Sequence, residues 1–104
     1  MTPAALEAML AKGIDNSLLR FGLGKAYLDA ADAAQAVQHL QRCVALDPGY
    51  SAAWKLLGKA LLDSGDTAGA AQAWEQGIRS AQHKGDKQAE KEMSVFLRRL
   101  QRQS

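Results

Sequence analysis

The side chains in this chain that could do chemistry are few, and their spacing limits what they can be. Gly22-Leu23-Gly24-Lys25-Ala26 has the outline of a phosphate-binding loop. Such a loop needs G-x-x-x-x-G-K-[ST] after a strand, so that backbone N–H groups cradle the phosphates and a hydroxyl reaches the metal. Leu19 stands at the first glycine position and Ala26 at the hydroxyl position, and Gly58-Lys59 repeats the same sequence later. A structural role in a repeated helix is therefore the expected one. His39 and His83 lie far apart, with no carboxylate at a recurring metal-ligand spacing, and read as surface or half-buried histidines. Cys43 is the only cysteine, so it makes no internal disulfide, and its place on an apolar stripe makes it a core residue. Asp29, Asp32, Asp63 and Asp66 recur where turns and caps need them rather than as an acid–base pair. No nucleophile–base pair emerges, so the sequence is that of a non-enzyme, and nothing in it calls for a metal or a cofactor.

The elements that position these residues come from a repeat. Shifted by 34 residues, Leu23-Gly24-Lys25-Ala26 falls on Leu57-Gly58-Lys59-Ala60, and Leu28-Asp29 on Leu62-Asp63. Asp32, Ala34, Ala36 and Gln38 fall on Asp66, Ala68, Ala70 and Gln72. Self-similarity at this period is the mark of stacked helical hairpins. Each unit carries two apolar stripes at helical spacing. The first pair is Leu19, Leu23, Ala26, Tyr27 and its copy Ala53, Trp54, Leu57, Ala60, Leu61. The second pair is Ala36, Val37, Leu40, Cys43, Val44 and Ala70, Ala71, Trp74, Gly77, Ile78. Asp32 is placed to cap the helix after it, with Gln35 three residues on, and Pro48-Gly49 ends the first hairpin. Gly24, Gly58, Ala26, Ala60, Ala36 and Ala70 let paired helices approach closely.

Two hairpins alone leave apolar faces open, and the flanks are predicted to close them. Thr2-Pro3 starts a helix that Gly13 stops, and Leu6, Met9 and Leu10 align with Leu40, Cys43 and Val44. This predicts a degenerate second helix that caps the front of the stack. At the far end Gly85-Asp86 restarts a helix with Ala89, Met93, Phe96, Leu97 and Leu100 on one stripe and Arg98, Arg99 and Arg102 towards its carboxyl end. The expected organisation is one all-α domain over 1–104: a capping helix at 2–13, repeats at 17–50 and 51–84, and a capping helix at 86–101. Six helices are predicted, at 3–12, 17–30, 33–46, 51–64, 67–84 and 86–101.

The pattern resembles the tetratricopeptide-repeat family, with its W-x2-L-G-x2-Y followed by alanine, an aromatic, alanine and proline. Trp54, Leu57, Gly58, Ala70 and Trp74 match it in the second unit, and Leu23, Gly24, Tyr27, Ala36 and Pro48 in the first. Arg20 departs from the first tryptophan, Leu61 from the tyrosine and Gln82 from the closing proline, while Cys43 and Gly77 stand where the last alanine belongs. The chain is also similar to small bacterial proteins made almost wholly of such repeats. The resemblance implies an α-solenoid whose first helices line a concave groove for a protein or peptide. The residues expected to face it are Leu18, Phe21, Gly22, Lys25, Leu28 and Asp29, then Ala52, Lys55, Leu56, Lys59, Leu62 and Asp63. Some members grip a partner's terminal carboxylate with a clamp of lysines and asparagines. Phe21, Lys25 and Leu56 stand where that clamp needs lysine, asparagine and asparagine, which argues against it here.

Phe21, Leu28, Leu56 and Leu62 beside Lys25, Lys55 and Lys59 would favour a partner with apolar anchors and acidic groups. The net charge of +2 is too small to argue for nucleic acid, although the last 21 residues carry six Lys/Arg against three Asp/Glu. No apolar run is long enough to cross a bilayer, and the start lacks the basic and apolar blocks of a signal peptide, so a cytoplasmic protein is expected. The function expected is a protein- or peptide-binding adaptor, monomeric or weakly self-associating. The alternative is a self-assembly or structural module without a peptide ligand.

Overall fold

The computed structural model describes residues 2–103. Among them lie six α-helices and no strand: α1 Pro3–Ala11, α2 Ser17–Asp29, α3 Ala33–Leu46, α4 Ser51–Asp63, α5 Thr67–Lys84 and α6 Lys87–Gln103. The expected spans are met to within two residues; α6 starts one residue later than expected and runs two residues further. Five of the six starts are held by a side chain that accepts an orphan amide of the first turn. Thr2, Asn16, Asp32, Asp66 and Asp86 accept from the amides of Ala5, Leu19, Gln35, Gly69 and Ala89. Tyr50, before α4, provides no such cap.

Four helices end in the same way, α1 through the amides of Ile14 to Met9 and Gly13 to Leu10, with Gly13 at φ 90°. The amides of Asp32, Asp66 and Asp86 reach back to the carbonyls of Tyr27, Leu61 and Ala81, each 2.8 Å away. One residue earlier, Ala31, Gly65 and Gly85 donate to Leu28, Leu62 and Gln82. This is the Schellman arrangement, which puts the residue after the cap in the left-handed region. Gly65 and Gly85 adopt it at φ 90° and 75°, and Ala31 adopts it at φ 60° despite its Cβ.

Packing follows the two periods. α2 lies against α3 and α4 against α5, α3 joins the first hairpin to α4, and α5 joins the second to α6. The first helices α2, α4 and α6 also touch in sequence, whereas α3 and α5 do not meet. The glycines are where helices press closest. A Cβ at Gly24 would run into Leu40, one at Gly58 into the Trp74 indole, and one at Gly77 into Met93 and Trp54. Leu23, Leu40, Cys43 and Met93 are the largest side chains fully buried. Truncating Leu40 to alanine would cost about 2–5 kcal/mol by the usual transfer and cavity terms.

The flanking helices close the stack by different means. α1 packs on α2, with Leu6 buried among Leu19, Leu23 and Ala26 and with Met9 and Leu10 partly covered. α6 sends Met93 against Gly77, and Ala89 and Leu100 into a cluster with Trp74 and Ala81.

Candidate functional site

The side-by-side array of α2, α4 and α6 carries all the residues expected to face a ligand, but unequally. Leu18 is 70% exposed and Leu62 38%, while Lys25, Asp29, Lys59 and Asp63 are exposed polar residues. Phe21, Leu28 and Leu56 face water less than expected: each is half-buried and packs on the core around Leu40 and Leu57. Phe21 stacks on Tyr50 at 4.9 Å between ring centres, so this ring ties α2 to the start of α4. Gly22 and Ala52 are also half-buried.

Lys55 and Lys59 part company. Lys55 Nζ is 3.2 Å from Glu92 Oε2, so its charge is spent on holding α6 to α4. Lys59 and Lys25 have no ion-pair or hydrogen-bond partner among the described residues. One turn along α4 from Lys59, Leu62 opens into a depression of about 230 Å3 between α4 and α6. Trp74 lies at its base, Phe96 and Leu100 form the α6 wall, and Arg99 and Gln103 complete its mouth. The Trp74 indole is fixed from behind: Nε1 donates to the Lys55 carbonyl at 3.1 Å, over Gly58.

A second polar cluster joins α1, α2 and α3. His39 is only 7% exposed, more buried than its sequence indicates, and it stacks on Tyr27 at 5.4 Å. Arg20 Nη1 is 3.0 Å from His39 Nδ1. Guanidinium only donates, so Nδ1 accepts and the ring proton sits on Nε2, which faces Glu7 Oε1 at 3.1 Å. Tyr27 donates to the same carboxylate oxygen, and Arg20 grips Asp15 with two bonds of 2.8 and 3.1 Å. That hydrogen bond from Arg20 holds the Asp15 carboxyl below its ordinary range, and burial keeps the His39 pKa low. Arg20 thus does with polar bonds what its copy Trp54 does by packing and by donating to the Pro48 carbonyl. The signal in the sequence was a paired departure, since both Arg20 and His39 differ from their copies Trp54 and Ala73.

The remaining candidates are structural. Cys43 is fully buried, donates to the Ser17 carbonyl, and its thiol is pushed up to about 11 by burial. It is therefore a thiol, not a thiolate, at neutral pH. His83 is exposed, as expected. Among the described residues no three His, Cys, Asp or Glu side chains gather at metal-binding distance. No helix among the described residues is long and apolar enough to cross a membrane.

Hairpins of paired helices, repeated at 34 residues with small residues at each close contact, define a helical-repeat protein of the tetratricopeptide class. The comparisons agree: the family model for the tetratricopeptide repeat matches residues 21–86, and the chain belongs to that family. It is 71% identical over 97 residues to the TPR repeat-containing protein PA0015 of Pseudomonas aeruginosa, a match covering 93% of this chain and 92% of that one. It is also similar to the solution structure of protein BPP2914 from Bordetella parapertussis, with a TM-score of 0.85 and 53% identity. That likeness covers 99% of this chain and 90% of the other. Repeats of this family generally mediate protein–protein interaction, and its members are typically non-catalytic.

Proposed function

We propose that this protein is a non-catalytic cytoplasmic adaptor. It binds a protein or peptide along the face shared by α2, α4 and α6, with the flanking helices over 2–13 and 86–101 acting as caps. The observation that carries the reading is the repetition of uncommitted residues. Lys25 and Lys59, and Asp29 and Asp63, are identical in the two units. Both lysines are exposed and unpaired, so neither the core nor an ion pair requires them. With Leu18 and Leu62 open beside them, the face offers apolar anchors and positive charge, which suits a partner with apolar and acidic groups.

The test is affinity capture from a bacterial lysate with wild type and with Lys25→Glu/Lys59→Glu. Lys55 is left intact because Lys55→Glu would face Glu92 and disturb α6. A protein retained by wild type and lost by the variant, with helicity unchanged, supports the reading. Equal retention by both moves binding off this face. A second reading, self-assembly, has Ile14 and Leu18 in its favour, at 41% and 70% exposure and four residues apart. Sedimentation over a concentration series separates the two, because assembly follows mass action.

A further inference from the structure

We propose that the depression between α4 and α6 is an anchor site for an acidic segment of a partner protein. It takes one phenylalanine or leucine side chain while carboxylates flanking that residue meet Lys59 and Arg99. The inference rests on the adaptor reading and gives it a specificity.

Size comes first. An apolar cavity of about 150 Å3 is enough for a benzene ring. The depression here is about 230 Å3, so it holds one large apolar side chain and not two. Its surface suits that guest: Leu62, Phe96 and Leu100 form the walls, and Trp74 and Phe96 meet at 5.4 Å and 46°. A ring set against this pair gains offset or edge-to-face contact in addition to burial.

Charge selects the flanks. Lys59 stands on the α4 side and Arg99 on the α6 side, and both are exposed with no partner among the described residues. No acidic residue lines this depression. The nearby Lys55 is already neutralised by Glu92, which leaves the positive field at the mouth to these two side chains. The larger depression between α3 and α5, about 550 Å3, differs in this respect. Its rim mixes Asp66 and Glu75 with Arg79 and so favours neither sign. The depression beside Trp54, about 320 Å3, also carries only cations, Arg79 and Lys84, but Lys84 there is engaged by the Gly49 carbonyl, whereas both cations of the α4–α6 site are unengaged among the described residues. A partner's basic segment is repelled there, and an apolar segment without carboxylates leaves both cations unanswered.

The probe is a terminally blocked peptide, Glu-Ala-Phe-Ala-Glu, whose two carboxylates share a face with the ring when it is extended. Binding is read from the indole N–H signals of the intact protein. Trp74 is the reporter at the site. Trp54, which donates to Pro48 and lines the depressions away from α6, is the internal control. The expected result is a saturable shift at Trp74, with a dissociation constant of about 1 mM for so short a peptide and no shift at Trp54. Replacing the phenylalanine by alanine, or both glutamates by lysine, abolishes it. Lys59→Glu/Arg99→Glu weakens it by about tenfold or more without lowering the melting temperature, because neither side chain has a partner to lose.

No Trp74 response, an equal response to the lysine peptide, or a response confined to Trp54 overturns the proposal. A Trp74 shift that follows protein concentration alone also overturns it, because the site then receives a second copy. If a lysate protein is still captured through Lys25 and Lys59 while Trp74 stays silent, the adaptor reading stands and only this anchor falls.

Discussion

Ala31 is the one non-glycine residue among those described with a positive φ, and its copy in the next repeat is Gly65. The two residues hold the same place in the same turn, with matching hydrogen bonds on either side. For an L-residue the left-handed region costs roughly 1–2 kcal/mol. Glycine avoids that cost but loses more backbone freedom on folding, by about 0.4–1 kcal/mol relative to alanine. The difference predicts that Ala31→Gly stabilises the protein by about 0.5–1 kcal/mol, and that Gly65→Ala destabilises it by a similar or larger amount, since φ 90° lies further from the alanine minimum. A Cβ at Gly65 meets nothing within 4 Å, so the effect there is one of backbone and not of packing. In a domain of this size 1 kcal/mol moves the melting temperature by roughly 4–8 °C. Thermal unfolding followed by circular dichroism should therefore place the two variants several degrees on opposite sides of wild type. The exchange Ala31→Gly/Gly65→Ala should fall between them, because the turns share no partner. A lower melting temperature for Ala31→Gly would refute the reasoning: the Ala31 methyl would then contribute more than its backbone costs.

Three further outcomes follow from the packing and the polar contacts. Gly58→Ala drives a Cβ into the Trp74 indole and should cost about 1–3 kcal/mol, read from denaturant melts, with a shifted Trp74 indole signal as the structural marker. His39 is held neutral by burial, with Arg20 donating to Nδ1, so its folded pKa lies below the unfolded value of about 6.5. The unfolded chain therefore takes up the proton first, and the contribution of neutral His39 is complete above that value and lost as pH falls through and below it. Melting temperatures measured from pH 7.5 down to 5 should drop more steeply for wild type than for His39→Gln, and parallel curves would remove His39 as the cause. Lys55→Glu should lose about 0.2–1 kcal/mol with its like charge facing Glu92, and Glu92→Lys in the same chain should restore most of it; no recovery in the double-mutant cycle would mean the pair does not fasten α6.

How far the sequence reaches can be judged residue by residue. The hairpins were legible because Leu23-Gly24 and Leu57-Gly58 are copies, and a copied pattern reports a copied environment. The caps at Asp32 and Asp66 were legible because a helix start needs a short acceptor wherever it occurs. The burial of His39 was not, because its partner Glu7 lies on α1, outside the copied region, and only the fold brings it within 3.1 Å. The engagement of Lys55 was hidden for the same reason: Glu92 is 37 residues away on a helix that matches neither repeat. Half-burial of Phe21, Leu28 and Leu56 was also beyond periodicity, which gives the face of a helix but not what stands against it.

Two of these misses share a pattern that bears on function. His39 and Lys55 lie where a flanking helix touches a repeat, and at such contacts the two units differ: Arg20 for Trp54 and His39 for Ala73 under α1, Gly77 for Cys43 where Met93 docks from α6. Contact with a cap therefore accounts for divergence between the copies. The converse case is Lys25 and Lys59 with Asp29 and Asp63, which touch neither cap by ion pair or hydrogen bond and yet are the same in both units. Drift is cheapest at exposed positions, where substitutions usually change stability by less than about 0.5 kcal/mol. Stability therefore gives little reason for those four residues to match, and a ligand that meets both first helices supplies one. On the proposed reading the face of α2 and α4 is held by what it binds, while the ends of the stack are shaped by how they are closed.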